Sequence, residues 1–324
     1  MSNLPARVTI NEEGPREGFQ IEPGPIPTAR KIELIDALSR TGLRTIQVGS
    51  FVNPKRVPGW ADVDAVVEGF RRDPGIRYTA IWLNAQGFER ALRHRDRLTL
   101  TGLALSAASE TFLVKNQNKT LADNVEAQRA QLRLYRDHGL ESVTAQVMAA
   151  FGCNYEGDVP VRAVVEQAAI LLDLAGECGF RPRTLSLADT MGWATPLGIR
   201  RVVGAVCERW PDLPLTLHLH DTRGLGLANA FAGLEMGVAE FDASVAGLGG
   251  CPFAGHTGAA GNVCTDDLVF LCDELGIETG IDLEALIAAS RLAEAIVGHP
   301  LPGAVRRGRS LASIRHARAG LTAA

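Results

Sequence analysis

Short β-branched or apolar runs alternate with stretches of helical period along most of the chain. The runs Val8–Asn11, Arg44–Val48, Arg77–Trp82, Leu98–Leu103, Ser142–Met148, Arg183–Leu187, Leu215–Leu219 and Phe241–Ser244 each predict a strand. Between them, Ala29–Ser39, Asp62–Phe70, Leu121–His138, Val161–Cys178, Leu197–Trp210 and Leu227–Met236 space their apolar residues three and four apart, as amphipathic helices do. Regular alternation of this kind predicts parallel strands joined by crossover helices, and the scarcity of polar residues in several strands predicts burial on both faces. Eight units in about 250 residues favour a closed (β/α)8 barrel over an open doubly wound sheet.

The polar residues strengthen that choice. Arg16 and Glu17 follow the first strand, Gln47 ends the second, Asn84 follows the third and Asp189 the sixth; His218 and His220 end the seventh, and Ser244 and Asn262 follow the eighth. Barrel enzymes gather their sites from the C-terminal ends of several strands, so one cavity could collect all of these. Thr28 is expected to cap the helix that begins at Ala29, and Gly42, Gly139, Gly179 and Gly237 to end helices. Past Asn262, the helical stretches Asp266–Cys272 and Leu283–Val297 are expected to cover one end of the barrel or to meet another subunit. Residues 1–300 then form one catalytic barrel domain, and 301–324 a basic tail around Arg306, Arg307 and Arg309.

Composition narrows the function classes. The 33 basic and 37 acidic residues are dispersed and leave a formal charge of −4, so neither nucleic acid nor an anionic membrane is an expected partner. No apolar run reaches the roughly 18 residues of a membrane span. Six widely spaced cysteines without a CxxC pair predict reduced thiols in a cytoplasmic setting rather than a zinc-thiolate cluster or a disulfide scaffold.

The most informative segment is Leu215-Thr216-Leu217-His218-Leu219-His220-Asp221. Residues two apart in a strand share a face, so His218 and His220 present two imidazoles side by side. Hydrogen-bonded core histidines would look the same, so the pair alone leaves both readings open. Two imidazoles suit Zn, Fe, Ni or Co, whereas Mg or Mn asks for oxygen ligands as well. Closure of a barrel pairs strands one and eight, which brings Glu17 and Asn262 beside the histidines and makes Mg or Mn a fitting ion.

The loop Ser244-Val245-Ala246-Gly247-Leu248-Gly249-Gly250-Cys251-Pro252 has small or flexible positions leading into a thiol. Gly249 and its neighbours would let the backbone pass close to a ligand. The loop lacks the Gly-Lys-Ser/Thr ending of a nucleotide-binding P-loop. Cys251 could donate a proton to a carbanion or enolate at the barrel mouth, or be buried structurally as Cys178, Cys207 and Cys272 are expected to be. Arg16 could neutralise an enolate or grip a carboxylate, or form a surface ion pair.

Gly14-Pro15-Arg16-Glu17-Gly18-Phe19-Gln20, Ser50-Phe51-Val52-Asn53-Pro54-Lys55, Asp189-Thr190-Met191-Gly192, His218-Leu219-His220-Asp221 and Val245 to Pro252 followed by Gly261-Asn262 resemble the 3-hydroxy-3-methylglutaryl-CoA lyase family, within the barrel lyases and Claisen-type synthases that include isopropylmalate synthase. The likeness runs from about Val8 to beyond Asp267. It implies a retro-Claisen cleavage of an acyl-CoA to acetyl-CoA and a keto product, with a divalent metal such as Mg²⁺ or Mn²⁺ held by Glu17, His218, His220 and Asn262. It also implies Arg16 at the enolate, Cys251 in product protonation and Asp189 in proton traffic, with His218 counted among the catalytic residues. Gln20, Gln47, Asn84, Ser244 and Gly249 are expected around the substrate, and Lys55, Arg56 and Lys115 are candidates for the CoA phosphates. A homo-oligomer, most simply a dimer, is expected.

Two positions depart from the family pattern. Glu17 stands where these lyases carry Asp, and Gln47 stands where they carry Glu. An extra methylene moves a carboxylate by over ~1 Å, large against the roughly 0.5 Å tolerance of a productive site. A Gln removes a charge and adds a donor. Either the carboxylate function has been re-spaced, or the substrate differs: citramalyl-CoA, a longer 3-substituted 3-hydroxyglutaryl-CoA, or the partners of a Claisen or aldol synthase. A catalytically silent binding barrel is the reading that so many converging polar residues disfavour.

Overall fold

A computed structural model describes residues 4–249, 261–308, 310–312, 314 and 315. Eight parallel strands form its centre: β1 (Thr9–Glu12), β2 (Thr45–Ser50), β3 (Arg77–Ile81), β4 (Gly102–Ala107), β5 (Val143–Met148), β6 (Leu185–Ala188), β7 (Leu215–His218) and β8 (Glu240–Ala243). Their order is β3-β2-β1-β8-β7-β6-β5-β4, so β1 and β8 pair and the chain's two ends meet, as barrel closure requires. The ends of that order, β3 and β4, are consecutive in sequence and share no ladder among the described residues. The Thr99 N–H, just before β4, donates to the Tyr78 carbonyl at 2.7 Å. Gly102 opens β4 where a Cβ would lie 2.5 Å from the Tyr135 ring, and the Tyr135 hydroxyl accepts from Trp82 Nε1 at 2.8 Å.

The helices are α1 (Thr28–Leu38), α2 (Val63–Gly69), α3 (Ala85–Leu92), α4 (Glu110–Gln117), α5 (Leu121–Asp137), α6 (Val161–Glu177), α7 (Pro196–Arg209), α8 (Gly226–Glu235), α9 (Thr265–Glu274), α10 (Leu283–Val297) and α11 (Val305–Gly308). Their starts follow capping chemistry. Thr120 and Asp123 form a reciprocal capping box on α5, and Thr195 caps α7 ahead of Pro196. Thr28 does not cap α1. Pro27 occupies the cap position without a side-chain bond, and the Thr28 hydroxyl donates instead to Asp62 at 2.6 Å. Gly42, Gly139, Gly179 and Gly237 all take positive φ after helices, the conformation that stops them cheaply.

The expectation of strands buried on both faces holds for β6 and β7 and fails for β3 and β5. In β5, Val143, Ala145 and Val147 are buried, while Thr144, Gln146 and Met148 line a central cavity. In β3, Tyr78 and Ala80 are buried, while Arg77, Thr79 and Ile81 line it. The main apolar core therefore sits between the strands and the surrounding helices. The barrel interior is partly hollow, with a cavity of about 330 Å³.

Residues past β8 close over this frame. The helix α9 completes the eighth unit, and α10 packs against α1 and the turn at Val245–Gly247. Leu301 and Arg306 are buried, so the start of the basic tail is part of the packed body: Arg306 donates to Glu294 and, at 2.6 Å, to the Leu301 carbonyl. Among the described residues no helix is long and apolar enough to cross a membrane.

Candidate metal centre

The site is assembled where β1, β7 and β8 end. After β1 the chain forms a π-helical turn, Gly14–Gly18, which sets Arg16 and Glu17 at the cavity wall. The Arg16 and Glu17 N–H groups both donate to the Glu13 carbonyl, and the Trp60 indole donates to the Arg16 carbonyl at 3.1 Å. Glycine is needed on both sides of the pair. A Cβ on Gly14 would lie 2.5 Å from Glu12 Oε1, and one on Gly18 would lie 2.3 Å from Leu248.

Glu12 fastens this turn to the other end of the chain. Its fully buried carboxylate accepts from the Gly14 N–H at 2.7 Å, the Val245 N–H at 2.9 Å and the Thr265 hydroxyl at 2.7 Å. The turn after β8 is held again by Asp266, which accepts from the Ala246 N–H at 2.7 Å. Just past β7, His220 and Asn262 form a backbone bridge, and the Val263 N–H donates to the Leu219 carbonyl. Asn262 is thereby fixed beside the histidine strand.

The two imidazoles stand perpendicular, with centroids 5.1 Å apart. His218 Nδ1 lies 3.2 Å from Asp242 Oδ2, and His220 Nδ1 lies 2.6 Å from the Asp189 carbonyl. Each Nδ1 is therefore the nitrogen that donates to a protein oxygen, which leaves each Nε2 as the one turned toward Glu17. Those Nε2 atoms lie 3.9 Å and 3.3 Å from Glu17 Oε1. An imidazole oriented through its second nitrogen by a carboxylate or carbonyl is the common arrangement of a metal-ligating histidine. Asp242 is itself held, since Asn11 Nδ2 donates to its Oδ1 at 2.9 Å and to Glu240 Oε1 at 2.9 Å. Glu240 in turn accepts from both Arg183 Nη atoms, at 2.9 and 2.7 Å.

Three observations fit a divalent cation here. Glu17, His218 and His220 offer one ligand atom each, all within 4.8 Å of one another. Asn262 is buried, and neither its Oδ1 nor its Nδ2 has a protein partner, a costly state that an ion bound at Oδ1 would relieve. The charge balance also asks for a cation. Burial lowers the His218 pKa, but the bond to Asp242, with Glu17 and Glu13 nearby, outweighs this and raises it to about 10. Burial likewise raises the Glu17 carboxyl, and Arg16, then His220 and His218, outweigh it and hold that carboxyl well below the usual range.

Around this set, Gln20 and Gln47 line the cavity. Asp189 is buried, and burial pushes its carboxyl up to about 6. Its Oδ1 accepts from the Trp193 and Ala194 N–H groups, and its Oδ2 has no partner. Gly249 has φ +100, and a Cβ there would lie 3.1 Å from the Gly18 backbone and 3.4 Å from Asn262 Nδ2. Ser244 is buried, and its hydroxyl donates to the Leu248 carbonyl, so it shapes the loop. Asn84 is exposed and caps α3 by accepting from the Gly87 N–H at 2.8 Å. Lys55 is exposed on the loop after β2, as is Arg56, and Lys115 sits over the Tyr155 ring. None of Asn84, Lys55, Arg56 and Lys115 lines the cavity. Cys251 lies outside the described residues. Glu12, Glu13, Asn11 and Asp242 were not anticipated from the sequence. Alternation along β1 and β8, which puts Asn11 in register with Asp242, is the signal that could have exposed the last two.

The family model described as HMGL-like matches residues 7–293. The 3-hydroxy-3-isohexenylglutaryl-CoA/hydroxymethylglutaryl-CoA lyase of Pseudomonas aeruginosa is 42% identical, over 91% of this chain and 95% of its own. The (R)-citramalyl-CoA lyase of Chloroflexus aurantiacus is 41% identical, over 92% and 93%. Among solved structures, an HMG-CoA lyase of Acinetobacter baumannii in complex with coenzyme A and 3-methylmalate superposes with a TM-score of 0.83 at 37% identity, covering 94% of this chain and 95% of that one.

Proposed function

The chain belongs to the HMGL-like family, and from that premise we propose that it is a divalent-metal-dependent lyase that cleaves a 3-hydroxy-3-methylglutaryl-CoA-like thioester. The observation that carries this is the pair of imidazoles whose Nδ1 atoms are each committed to an oxygen, leaving both Nε2 atoms beside Glu17. Glu17, His218, His220 and Asn262 would hold the ion. Mg²⁺ or Mn²⁺ fits such a mixed set of oxygen and imidazole donors, and when bound supplies Lewis-acid polarisation of the substrate's oxygens.

The chain's own residues then divide the work. In a retro-Claisen cleavage the 3-hydroxyl loses its proton, the C2–C3 bond breaks to leave a ketone, and the electron pair passes to the thioester as an enolate that takes up a proton. Arg16, half enclosed by carboxylates at the cavity wall, places a fixed cation where the enolate develops. Asp189, with a free Oδ2 and a raised pKa, serves the proton traffic beside His220, and Cys251 serves product protonation. Gln20 and Gln47 offer amide groups to the acyl part from the cavity wall. Lys55 reaches the CoA phosphates only from the rim. A homodimer in a reducing, cytoplasmic setting completes the proposal, supported by exposed Leu197, Leu225 and Leu227 and by the free thiols.

The relatives divide over the acyl group, and so does this proposal. Hydroxymethylglutaryl-CoA is the first candidate and citramalyl-CoA the second. The purified protein with Mn²⁺ or Mg²⁺ is offered a panel of 3-hydroxyacyl-CoA thioesters and acetyl-CoA release is followed. Release from one of them identifies the substrate, and release from none refutes the lyase reading.

A further inference from the structure

Glu13 belongs to no part of the metal set, yet it is the hub of the polar network beside it. Arg16 has five N–H donors, and three of its nitrogens meet side-chain oxygens. Nε donates to Gln47 Oε1, Nη2 donates to Glu13 Oε2 at 2.6 Å, and Nη1 lies 2.9 Å from Glu17 Oε2. Gln47 Nε2 closes the ring by donating to Glu13 Oε1 at 3.1 Å. Glu13, Arg16 and Gln47 form a closed cycle on the cavity wall, with Glu13 and Arg16 side chains only 10% and 11% exposed.

The cycle makes positions 13 and 47 depend on each other. A carboxylate at 47 would set an oxygen against Glu13 Oε1 where an amide now donates, and two nearly buried like charges in contact oppose one another. Conversely, an amide at 47 without Glu13 would leave Arg16 with Glu17 as its one charged partner, and Glu17 is also wanted by the metal. Arg16 would then compete with the ion for that carboxylate.

We infer that Glu13 supplies the carboxylate that position 47 lacks, and that it acts as a positioning residue, holding Arg16 so that two of its N–H donors remain for a carboxylate or enolate oxygen of the substrate. Although Glu13 also lies close enough to His218 and Asp242 to share an ion with them, Glu13 is placed outside the metal set. It lies 3.6 Å from His218 Nδ1, and that nitrogen is already committed to Asp242 at 3.2 Å. This inference rests on the reading of the site as that of a thioester lyase, and it has a readout that does not.

The experiment compares the wild-type protein with Glu13→Gln, Gln47→Glu and the double swap Glu13→Gln/Gln47→Glu. For each, calorimetry measures Mn²⁺ stoichiometry and then the binding of 3-methylmalate, an inert hydroxydicarboxylate, to the Mn²⁺-loaded protein. Loss of a charge-assisted bond predicts that Glu13→Gln weakens 3-methylmalate by about tenfold to a hundredfold while one Mn²⁺ per subunit is retained. Gln47→Glu should be weakened similarly, and the double swap should recover most of the loss, because it restores one carboxylate and one amide to the cycle. Acetyl-CoA release should follow the same ranking, with the change in kcat larger than that in KM. Wild-type 3-methylmalate affinity in Glu13→Gln, a double swap no better than that single variant, loss of a Mn²⁺ equivalent in Glu13→Gln, or no 3-methylmalate binding to the wild-type protein would each overturn the inference. Absence of acetyl-CoA release from the wild-type protein would instead refute the lyase reading, and the binding cycle would still judge Glu13.

Discussion

Replacing Asp242 by Asn tests the construction of the metal centre at the carboxylate that stands behind His218. The hydrogen-bond chain Arg183, Glu240, Asn11, Asp242, His218 has a direction imposed from its far end. Arg183 can only donate, so Glu240 accepts, Asn11 must turn its amide nitrogen toward Glu240, and the same nitrogen donates to Asp242. Asp242 accepts at both oxygens, one from Asn11 and one from His218 Nδ1. An Asn at 242 has one acceptor and one donor for two incoming donors, so it must abandon either Asn11 or His218. Rotating Asn11 does not help, because its oxygen would then face Glu240. One buried donor is left unpaired, at a cost of about 1–3 kcal/mol. If His218 is the group abandoned, its tautomer and orientation are no longer held, and lost outer-sphere support of this kind weakens metal binding by about 10- to 100-fold. Titration of Mn²⁺ by electron paramagnetic resonance, with a thermal melt as control, should show a raised dissociation constant in a folded protein with a modestly lowered Tm. A Mn²⁺ affinity within about threefold of wild type, below the least effect expected from outer-sphere loss, would mean that Asp242 does not orient His218.

Three further expectations follow from other parts of the molecule. Gly249→Ala forces a side chain onto a backbone at φ +100 and within 3.1 Å of Gly18, at a strain of about 1–3 kcal/mol; it should weaken Mn²⁺ binding by displacing Gly18 or Asn262, and unchanged Mn²⁺ affinity would contradict that contact. Glu12→Ala strips the partner from three buried donors that join the first and eighth units, so chemical denaturation should show a loss of about 3 kcal/mol or more, and a loss below about 1 kcal/mol would refute the bracket. Glu294 is held at about 2, first by its bond to Arg306 and then by the Leu301 N–H, against an ordinary 4.5. A depressed carboxylate stabilises the fold fully above 4.5 and loses that contribution as pH falls toward 2, so the Tm gap between wild type and Glu294→Gln should close across that window, and a constant gap would count against it.

Much of the frame was legible because its signals are periodic. Seven strand predictions fall within two residues of the observed starts, and α10 falls exactly where its apolar spacing puts it, at Leu283–Val297. The fourth strand begins four residues later than Leu98, because Leu98–Thr101 is apolar enough to resemble a strand but precedes the paired segment, with Thr99 bonded across to Tyr78. The helices α3 and α4 were missed because their large apolar residues do not repeat beyond one turn, being Phe88 and Leu92 in α3 and the consecutive Phe112, Leu113 and Val114 in α4, whereas the shorter α2 lies in a segment with Val63, Val66, Val67 and Phe70. Among the site residues, the histidine pair was readable from strand alternation, and Glu17 and Asn262 from barrel closure. Asn84 sat at the right end of β3, but its role there is local capping, which strand-end position cannot distinguish from a cavity residue. Asp242 could be read only with β1 and β8 set in register, and Glu13 was invisible because its meaning depends on bonds to Arg16 and Gln47 that no spacing announces.

The hollow interior separates two demands that most proteins place on the same residues. Along β3 and β5, alternate side chains hold the strands to their helices, while the ones between face open space. Changes at Thr79, Thr144 or Gln146 therefore alter what the cavity admits while the packing at Tyr78, Val143 and Ala145 is left as it was. New acyl preferences can be reached by single substitutions that do not first have to survive a folding defect, and a family that spans several thioesters on one barrel is the outcome such a division allows.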